Sequence, residues 1–196
     1  MSAVASELHE VAEFQKIAER RRSVYGFLPT PVPHGIINWA IRMATLAPNH
    51  YKTRPWRFHV FDGPGRERLA DAFESGARSL GQDPERARGK IYPAPTTIVV
   101  TCLCSPDHPK ALLLEDQFAT AAAVENMLLA FASAGIGTMW GTGRLIETDA
   151  VRAVAGLSDP RDRIIGSITV GYADPERPLP DRADEDPGRV TRWYGG

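Results

Sequence analysis

The segment from Ala111 to Gly143 constrains the fold of this chain more than any other stretch. Between Phe118 and Ala134 the only charged residue is Glu125, and apolar or small residues occupy every face of the predicted helix rather than one stripe. Such a helix has to be buried on all sides. At a rise of about 1.5 Å per residue, about 24 residues span roughly 36 Å, which is the width of a small domain. A second subunit is therefore expected to cover part of it.

The same segment does not predict a transmembrane helix. Glu115, Asp116, Glu125 and Asn126 interrupt it, and the uncharged run after Glu125 is shorter than the roughly 20 residues that a membrane span needs. The N-terminal stretch is amphipathic and carries mixed charge, without the apolar core of a secretory signal. We therefore expect a cytoplasmic protein that does not contact a membrane.

Length and charge narrow the possibilities further. The 196 residues suit a single domain over residues 1–196, or one protomer of a tight dimer. The 23 basic and 24 acidic residues nearly balance, and no nucleic-acid-binding signature is present, so nucleic acid is not an expected partner. Arginine supplies most of the positive charge, which fits bidentate recognition of phosphate or carboxylate.

The order of the predicted elements indicates an α+β fold, with a mixed sheet flanked by helices around the long buried central helix. Helices are predicted over about 5–22, 34–46, 66–80, 82–90 and 149–155, in addition to the long one. Strands are predicted over about 57–61, 96–104, 137–140 and 163–172. This order is not the strict strand-helix alternation of a Rossmann unit.

The C-terminal arm, residues 173–196, contains four prolines and ends in Trp193 and Tyr194. Such a composition predicts either disorder or an extended segment wrapped around another surface. Docking is favoured, because two aromatic side chains at a free terminus are costly to leave in water.

Familiar catalytic motifs are missing from the sequence. It contains no GxSxG, HExxH, P-loop or CxxC motif, and GIGTMWG at residues 135–141 does not match the dinucleotide-binding fingerprint. Cys102 and Cys104 lie two residues apart in a β-branched run, which predicts buried strand cysteines that cannot pair with each other. The five histidines are scattered singly, so no metal site is predicted.

Three segments remain as candidates for binding. Arg21, Arg22 and Ser23 place guanidinium groups beside a hydroxyl, which suits a phosphate monoester, although a solvated basic helix end is the commoner explanation of such residues. The glycines of GTMWGTGR, residues 137–144, would let the backbone approach a flat ring, or would simply turn the chain after a helix. The polar run from Asn49 to Arg54 is either a binding loop or a solvated one.

Taken together, these segments resemble the nitroreductase family of flavoproteins, specifically its short, single-domain branch. The likeness is carried by RRSVYGF at 21–27, APNHYKTRPWRF at 47–58, the long helix with GIGTMWGTG, and IIGSITVGY at 164–172. It extends over nearly the whole chain, from about Glu19 to Tyr194, with the motifs in the order and spacing of the family.

The resemblance implies a homodimer that binds one FMN per active site in the subunit interface, with residues from both chains. Arg21, Arg22 and Ser23 would hold the phosphate and ribityl chain, and the C-terminal arm would cross onto the partner. Tyr25 stands where many relatives carry a second basic residue. The cofactor-binding residues implied in this way are Arg21, Arg22, Ser23, Tyr25, Asn49, His50, Lys52, Arg54, Trp140, Gly141, Thr142, Gly143 and Arg182.

The activity implied by the resemblance is that of an FMN-dependent NAD(P)H oxidoreductase. Hydride would pass through flavin N5 to a small-molecule acceptor such as a nitroaromatic or a quinone, with ping-pong kinetics. The flavin carries the chemistry, so no catalytic side chain is assigned. Alternatives on the same fold are oxidation by oxygen, dehalogenation or saturation of an activated double bond, and a flavin-binding dimer without turnover. A helical dimer without a cofactor is the least specific alternative.

Overall fold

The computed structural model of the chain describes residues 3–104, 108–183 and 185–195. Its helices are α1 (Ala3–Arg20), α2 (His34–Ala44), α3 (Gly65–Ser79), α4 (Pro84–Gly89), α5 (Leu113–Ser133), α6 (Asp149–Val154) and α7 (Pro187–Val190). Its strands are β1 (Trp56–Asp62), β2 (Thr96–Cys102), β3 (Gly137–Gly141) and β4 (Arg163–Gly171). Two short 3-10 turns, His50–Lys52 and Arg144–Glu147, complete the described elements.

The four strands form one sheet in the order β1-β2-β4-β3. This architecture confirms the predicted α+β class and each of the predicted strands. All three strand pairs are antiparallel, however, so the expectation that the strands themselves form a mixed sheet was wrong. The parallel contact is an isolated bridge between Ser23 and Thr138 at the outer edge of β3.

Strand β2 explains how the core divides into two layers. All seven of its residues are buried, because helices cover both faces of this inner strand. Ile98 and Val100 point to one face and pack in a cluster with residues of α2 and α5. Val99 points to the other face and packs with residues of α3 and α6. The alternation of side chains along a strand therefore supplies both layers from one apolar run.

The long helix α5 begins and ends with recognisable local signals. Its start is fixed by the Glu115 side chain, which accepts a hydrogen bond from the Leu112 N–H at 3.2 Å. At its end, Gly135 has φ +74° and the N–H of Ile136 donates to the Phe131 carbonyl at 2.9 Å. This glycine-ended pattern satisfies the last carbonyls of the helix and directs the chain into β3.

Within one chain, α5 is not buried on all sides. Ten of its 21 residues are buried, including Met127 and Phe131 at its centre. Leu114 and Phe118, however, are 56% and 63% exposed. The helix is therefore central to one chain but keeps an apolar stripe at its surface. The second subunit that was expected to cover this stripe stays a prediction.

Two further expectations concern the cysteines and the C-terminal arm. Cys102 is buried in β2 as predicted, but the strand ends there, so Cys104 lies outside it and is only half-buried. In the arm, Trp193 and Tyr194 are 89% and 91% exposed, and their docking onto a partner stays a prediction. Among the described residues, no helix has the length and apolarity that a membrane crossing requires.

Candidate functional site

The first group of predicted residues lies where α1 ends and the chain runs along the edge of the sheet. Ser23 bridges to Thr138 of β3, and the Val24 N–H donates to the Thr138 carbonyl at 2.9 Å. This pairing places Arg21 and Arg22 beside the glycine-rich strand. Both arginines line a cavity of about 180 Å³. Two of the three candidate segments, 21–23 and 137–144, therefore meet at one place.

The guanidinium groups of this region also contact protein atoms. Arg22 donates to the backbone carbonyls of Glu19 and Arg21, the second at 3.1 Å. The Nε of Arg21 lies 3.9 Å from a carboxylate oxygen of Glu125. These contacts resemble the alternative of a basic helix end, since cations interact favourably with the carbonyls at a helix C-terminus.

Arg182 comes to the last turn of α1 from the C-terminal arm. Its Nη1 donates to the Ala18 carbonyl at 2.7 Å, although the two residues are 164 positions apart. Arg21, Arg22 and Arg182 are hereafter called the arginine corner. A guanidinium has five N–H donors, so each of these side chains keeps donors beyond the bonds described.

A second, larger cavity of about 360 Å³ lies next to Tyr25, whose side chain is 66% exposed. It opens on the sheet face that carries α3 and α6. Gly141 and Thr142 lie at its edge, so predicted residues from two distant segments share one cavity. Three hydroxyl side chains from the neighbouring strands β2 and β4 also line it: Thr97, Ser167 and Thr169.

The Trp140 side chain lies on the opposite face of the sheet from this cavity. It packs against the core cluster beneath α5, and its Nε1 donates to the Ile165 carbonyl at 3.3 Å. A Cβ atom on Gly166 would overlap Trp140 Nε1, so only glycine leaves room for the ring. The indole therefore belongs to the core. Gly143, with φ +124°, adopts a backbone conformation that favours glycine.

The third candidate segment, residues 49–54, is a strained loop. Tyr51, Lys52 and Arg54 have φ of 53°, 54° and 50°, in the left-handed region that non-glycine residues seldom adopt. Each such residue costs about 1–3 kcal/mol and persists only where the surroundings impose it. Clusters of this kind concentrate at functional sites. The strain favours the binding-loop interpretation over that of an ordinary solvated loop.

Most of the loop's side chains point to solvent. His50, Tyr51, Lys52 and Arg54 are exposed, and the Tyr51 ring stacks on His108 with 4.3 Å between ring centroids. The His50 ring meets the Tyr51 ring edge-on, also with 4.3 Å between ring centroids. The Asn49 side chain, in contrast, is used inside the loop, where its Oδ1 accepts the Arg54 N–H at 2.6 Å.

The loop and the cavity of the arginine corner lie toward opposite ends of α5. The loop borders a groove of about 530 Å³ with Glu115 and Phe118, in the first turns of the helix. The cavity of the arginine corner includes Ala132, at the helix's last turn. Ala122, which lines the loop's groove, and Ala132 are ten residues apart, or about 15 Å along the helix axis. The loop and the cavity of the arginine corner therefore lie toward different ends of α5, although Arg21 itself reaches Glu125 near the middle of the helix.

Comparison with known proteins shows that the three candidate segments belong to one protein family. The model of the Nitroreductase family matches residues 18–172, which include all three candidate segments. The chain belongs to the nitroreductase family.

Individual relatives agree with this assignment. This nitroreductase is 33% identical to the putative NAD(P)H nitroreductase YdjA of Escherichia coli (strain K12) over 146 residues, covering 73% of this chain and 78% of the relative. Its fold is similar to the crystal structure of a nitroreductase-like family protein from Bacillus cereus, with a TM-score of 0.81 and 26% identity over 93% of this chain and 96% of that one.

A more distant structure shares the fold. The FMN-dependent nitroreductase NfnB from Mycobacterium smegmatis, solved in complex with NADPH, aligns with a TM-score of 0.71 at 19% identity. The alignment covers 94% of this nitroreductase and 100% of NfnB. At this identity the likeness concerns the fold alone.

Most residues that line the larger cavity of this nitroreductase were not predicted from the sequence. Among them are Lys90, just after α4, and Thr97 of β2. Thr97 is 1% exposed, and its hydroxyl has no hydrogen-bond partner among the described residues. Because side chains alternate along a strand, the sequence of β2 was enough to place the Thr97 side chain on the opposite sheet face from Ile98. No local motif marked Lys90, although lysine is scarce in the chain.

The cysteines of this nitroreductase are not placed or activated as nucleophiles. Burial raises the pKa of the Cys102 thiol to about 11, and burial also raises the pKa of Cys104. The thiolate is the reactive form, so both groups stay protonated near neutral pH.

Proposed function

We propose that this nitroreductase binds FMN and works as an NAD(P)H oxidoreductase in the form of a homodimer. The observation that carries the proposal is that the cavity of the arginine corner and the 49–54 loop lie toward opposite ends of α5. If two copies of α5 pack antiparallel across a two-fold axis, the corner of each chain lies beside the loop of the other. Each site would then be built from both chains.

The exposed stripe of α5 supports the same association. Leu114 and Phe118 lie four positions apart on one face, beside the groove that the loop borders. Burying an exposed leucine or phenylalanine side chain stabilises an interface by about 1.5–3 kcal/mol. An apolar stripe along the helix is therefore a surface that a second copy would cover.

The chemistry of the lining residues fits FMN. The three guanidinium groups of the arginine corner suit a phosphate, because Arg binds phosphate through charge-assisted, bidentate hydrogen bonds. The larger cavity combines apolar side chains such as Phe27 and Met139 with a few polar groups, which is typical of sites for flat organic cofactors. The unpartnered Thr97 hydroxyl is one polar group in this cavity that a ligand or a water molecule would satisfy.

When bound, FMN would supply the redox chemistry, taking a hydride from NAD(P)H at N5 and passing it to a nitroaromatic or quinone acceptor in ping-pong alternation. The protein's part is to position the cofactor and to set the charge around it. The exposed cations Lys52 and Arg54 are available for that role from the loop of the second chain. The name of YdjA supports this activity. The cytoplasmic location expected from the sequence stays a prediction.

The test is a visible spectrum of the purified protein, followed by anaerobic mixing with NADH or NADPH. We expect flavin absorbance that survives gel filtration, bleaching by a reduced pyridine nucleotide, and recovery when a quinone is added. Flavin that is bound but not bleached would indicate a binding dimer without turnover. Colourless protein that FMN does not reconstitute would contradict the proposal. A screen of acceptors against the reduced enzyme separates nitroreduction from oxidation, dehalogenation and double-bond saturation.

A further inference from the structure

The 49–54 loop is tied to α5 by a directed chain of hydrogen bonds. The Asn49 side-chain amide donates to Thr53 Oγ1 at 3.0 Å, and the Thr53 hydroxyl donates to Asp116 Oδ1 at 2.5 Å. A hydroxyl has one proton to give. Thr53 accepts a hydrogen bond from Asn49 and donates its own hydroxyl proton to Asp116. The chain of hydrogen bonds therefore ends on an acceptor, which is the Asp116 carboxylate.

The carboxylate of Asp116 is unusually buried. It is 3% exposed, and it forms no ion pair with any of the described residues. A buried charge is costly unless hydrogen bonds or opposite charge compensate it. Here the positive end of the α5 dipole and the Thr53 hydroxyl provide the compensation, since Asp116 lies in the first turns of the helix.

The loop needs such an anchor because its backbone is strained. Three of its four residues between 51 and 54 are left-handed without being glycine. The Arg54 N–H donates to Asn49 Oδ1 at 2.6 Å and closes the loop on itself. The two bonds use the two ends of one amide group. The bond from Asn49 Nδ2 to Thr53 therefore holds the group in the orientation in which Oδ1 accepts from Arg54. The left-handed conformation is thus coupled, through Asn49 and Thr53, to Asp116.

We propose that Asp116 is a positioning residue, which holds the 49–54 loop in its left-handed conformation and so directs His50, Lys52 and Arg54 toward the cofactor site. The inference rests on the proposed function for the identity of that site. The anchor itself, a buried carboxylate 63 residues away in sequence, is a feature of this chain's own contacts. Asp116 does not touch the cofactor in this proposal and acts through Thr53.

The chain offers a matched pair of substitutions to test this. Thr53→Val removes the hydroxyl that donates to the Asp116 side chain. Thr120→Val removes a hydroxyl that donates to the Asp116 backbone carbonyl at 2.8 Å and leaves the loop contacts in place. Both variants lose one hydroxyl next to the same aspartate. Their difference therefore reports the side-chain connection rather than the loss of a buried hydrogen bond.

Two readouts are measured on the full-length protein. The first is the exchange rate of the Arg54 backbone amide, which we expect to rise about tenfold in Thr53→Val because its acceptor is released. The second is the dissociation constant for added FMN, which we expect to rise about tenfold in the same variant. Thr120→Val is expected to match the wild-type protein in both. Asp116→Asn retains the Oδ1 acceptor and is expected to keep the wild-type loop conformation. Asp116→Leu removes the acceptor and is expected to behave like Thr53→Val.

Each outcome decides the proposal. If Thr53→Val and Thr120→Val change both readouts equally, Asp116 has only a structural role and the proposal is overturned. Faster Arg54 exchange without weaker FMN binding also overturns it, because the loop order then does not matter to the site. If the wild-type protein binds no FMN, the proposed function fails and the positioning role fails with it, while Arg54 exchange still shows whether Asp116 anchors the loop. If Asp116→Leu does not fold, the two threonine variants carry the test.

Discussion

The guanidinium of Arg182 donates a hydrogen bond to the Ala18 carbonyl at 2.7 Å and so fastens the C-terminal arm to the end of α1. This contact brings a third arginine to the helix end that Arg21 and Arg22 follow, across most of the chain length. The arm that was expected to dock on a partner is thereby also held to its own chain, at the corner proposed to bind phosphate.

We expect Arg182→Met to weaken FMN binding about tenfold, or roughly 1.4 kcal/mol, because a charge-assisted bond to the phosphate is lost. Riboflavin, which has no phosphate, should bind the variant and the wild-type protein equally. Fluorescence titration with both flavins measures this difference. Arg189→Met is the control, since Arg189 lies on the same arm in the exposed helix α7. Equal losses for FMN and riboflavin would remove Arg182 from the phosphate site.

We expect Gly166→Ala to destabilise the fold by about 2–4 kcal/mol, since the added methyl group would overlap the Trp140 ring and lie only 3.0 Å from the Gly141 carbonyl oxygen. Chemical denaturation measures the change in the free energy of unfolding. Gly65→Ala is the matched control, because a Cβ at that helical position meets nothing within 4 Å. Equal stability of the two variants would show that the Trp140 packing described above is wrong.

The Cys102 thiol makes the free energy of unfolding depend on pH in the alkaline range. Burial raises its pKa from 9.0 to about 11, so the unfolded chain ionises first and the folded state loses relative stability as the pH rises from about 9 to about 11. At pH 10 the loss amounts to about 1 kcal/mol. Urea denaturation of wild-type protein and Cys102→Ala at pH 7 and pH 10 isolates this contribution. The variant is less stable at both values, but its additional loss at pH 10 should be smaller by that amount. An identical pH dependence would contradict the assignment.

Lys52 is expected to raise the reduction potential of the flavin. A cation near the pyrimidine edge favours the anionic reduced form, so Lys52→Met should lower the midpoint potential by roughly 20–40 mV, equivalent to about 1–2 kcal/mol for a two-electron couple. Lys110→Met serves as the control, because Lys110 lies in an exposed turn outside the 49–54 loop. Spectroelectrochemical titration gives both values. An unchanged potential in Lys52→Met would remove Lys52 from the electrostatic argument.

Periodicity and turn chemistry were sufficient to predict most of the fold. The apolar run of α5, the β-branched run of β2 and the glycine after Ala134 each act locally, so their effect is visible in a few adjacent residues. The strand directions were not predictable in this way. They depend on pairings such as Thr97 with Thr169, which are distant in sequence.

The candidate site was predicted as far as its segments are contiguous. Arg21, Arg22 and the 49–54 loop stood out by composition, whereas the bond from Thr53 to Asp116 joins residues 63 positions apart and leaves no local pattern. For Trp140 the structure adds the direction of the side chain. Its segment borders the larger cavity, whereas its ring turns to the other sheet face, because side chains alternate along β3. Its expected contact with the cofactor, largely through the backbone, stays a prediction.

The central claim is that each site takes its arginine corner from one chain and its loop from the other. Mixing two defective variants tests it directly: Arg21→Met with Arg22→Met in one chain, and His50→Ala with Lys52→Ala in the other. After unfolding and refolding together, random pairing of chains in a two-fold dimer restores about a quarter of the sites if they are shared between chains. We predict that this fraction of wild-type FMN binding returns in the mixture and in neither variant alone. Mixed dimers that form, as judged by light scattering and mass, but recover no FMN binding would contradict the account.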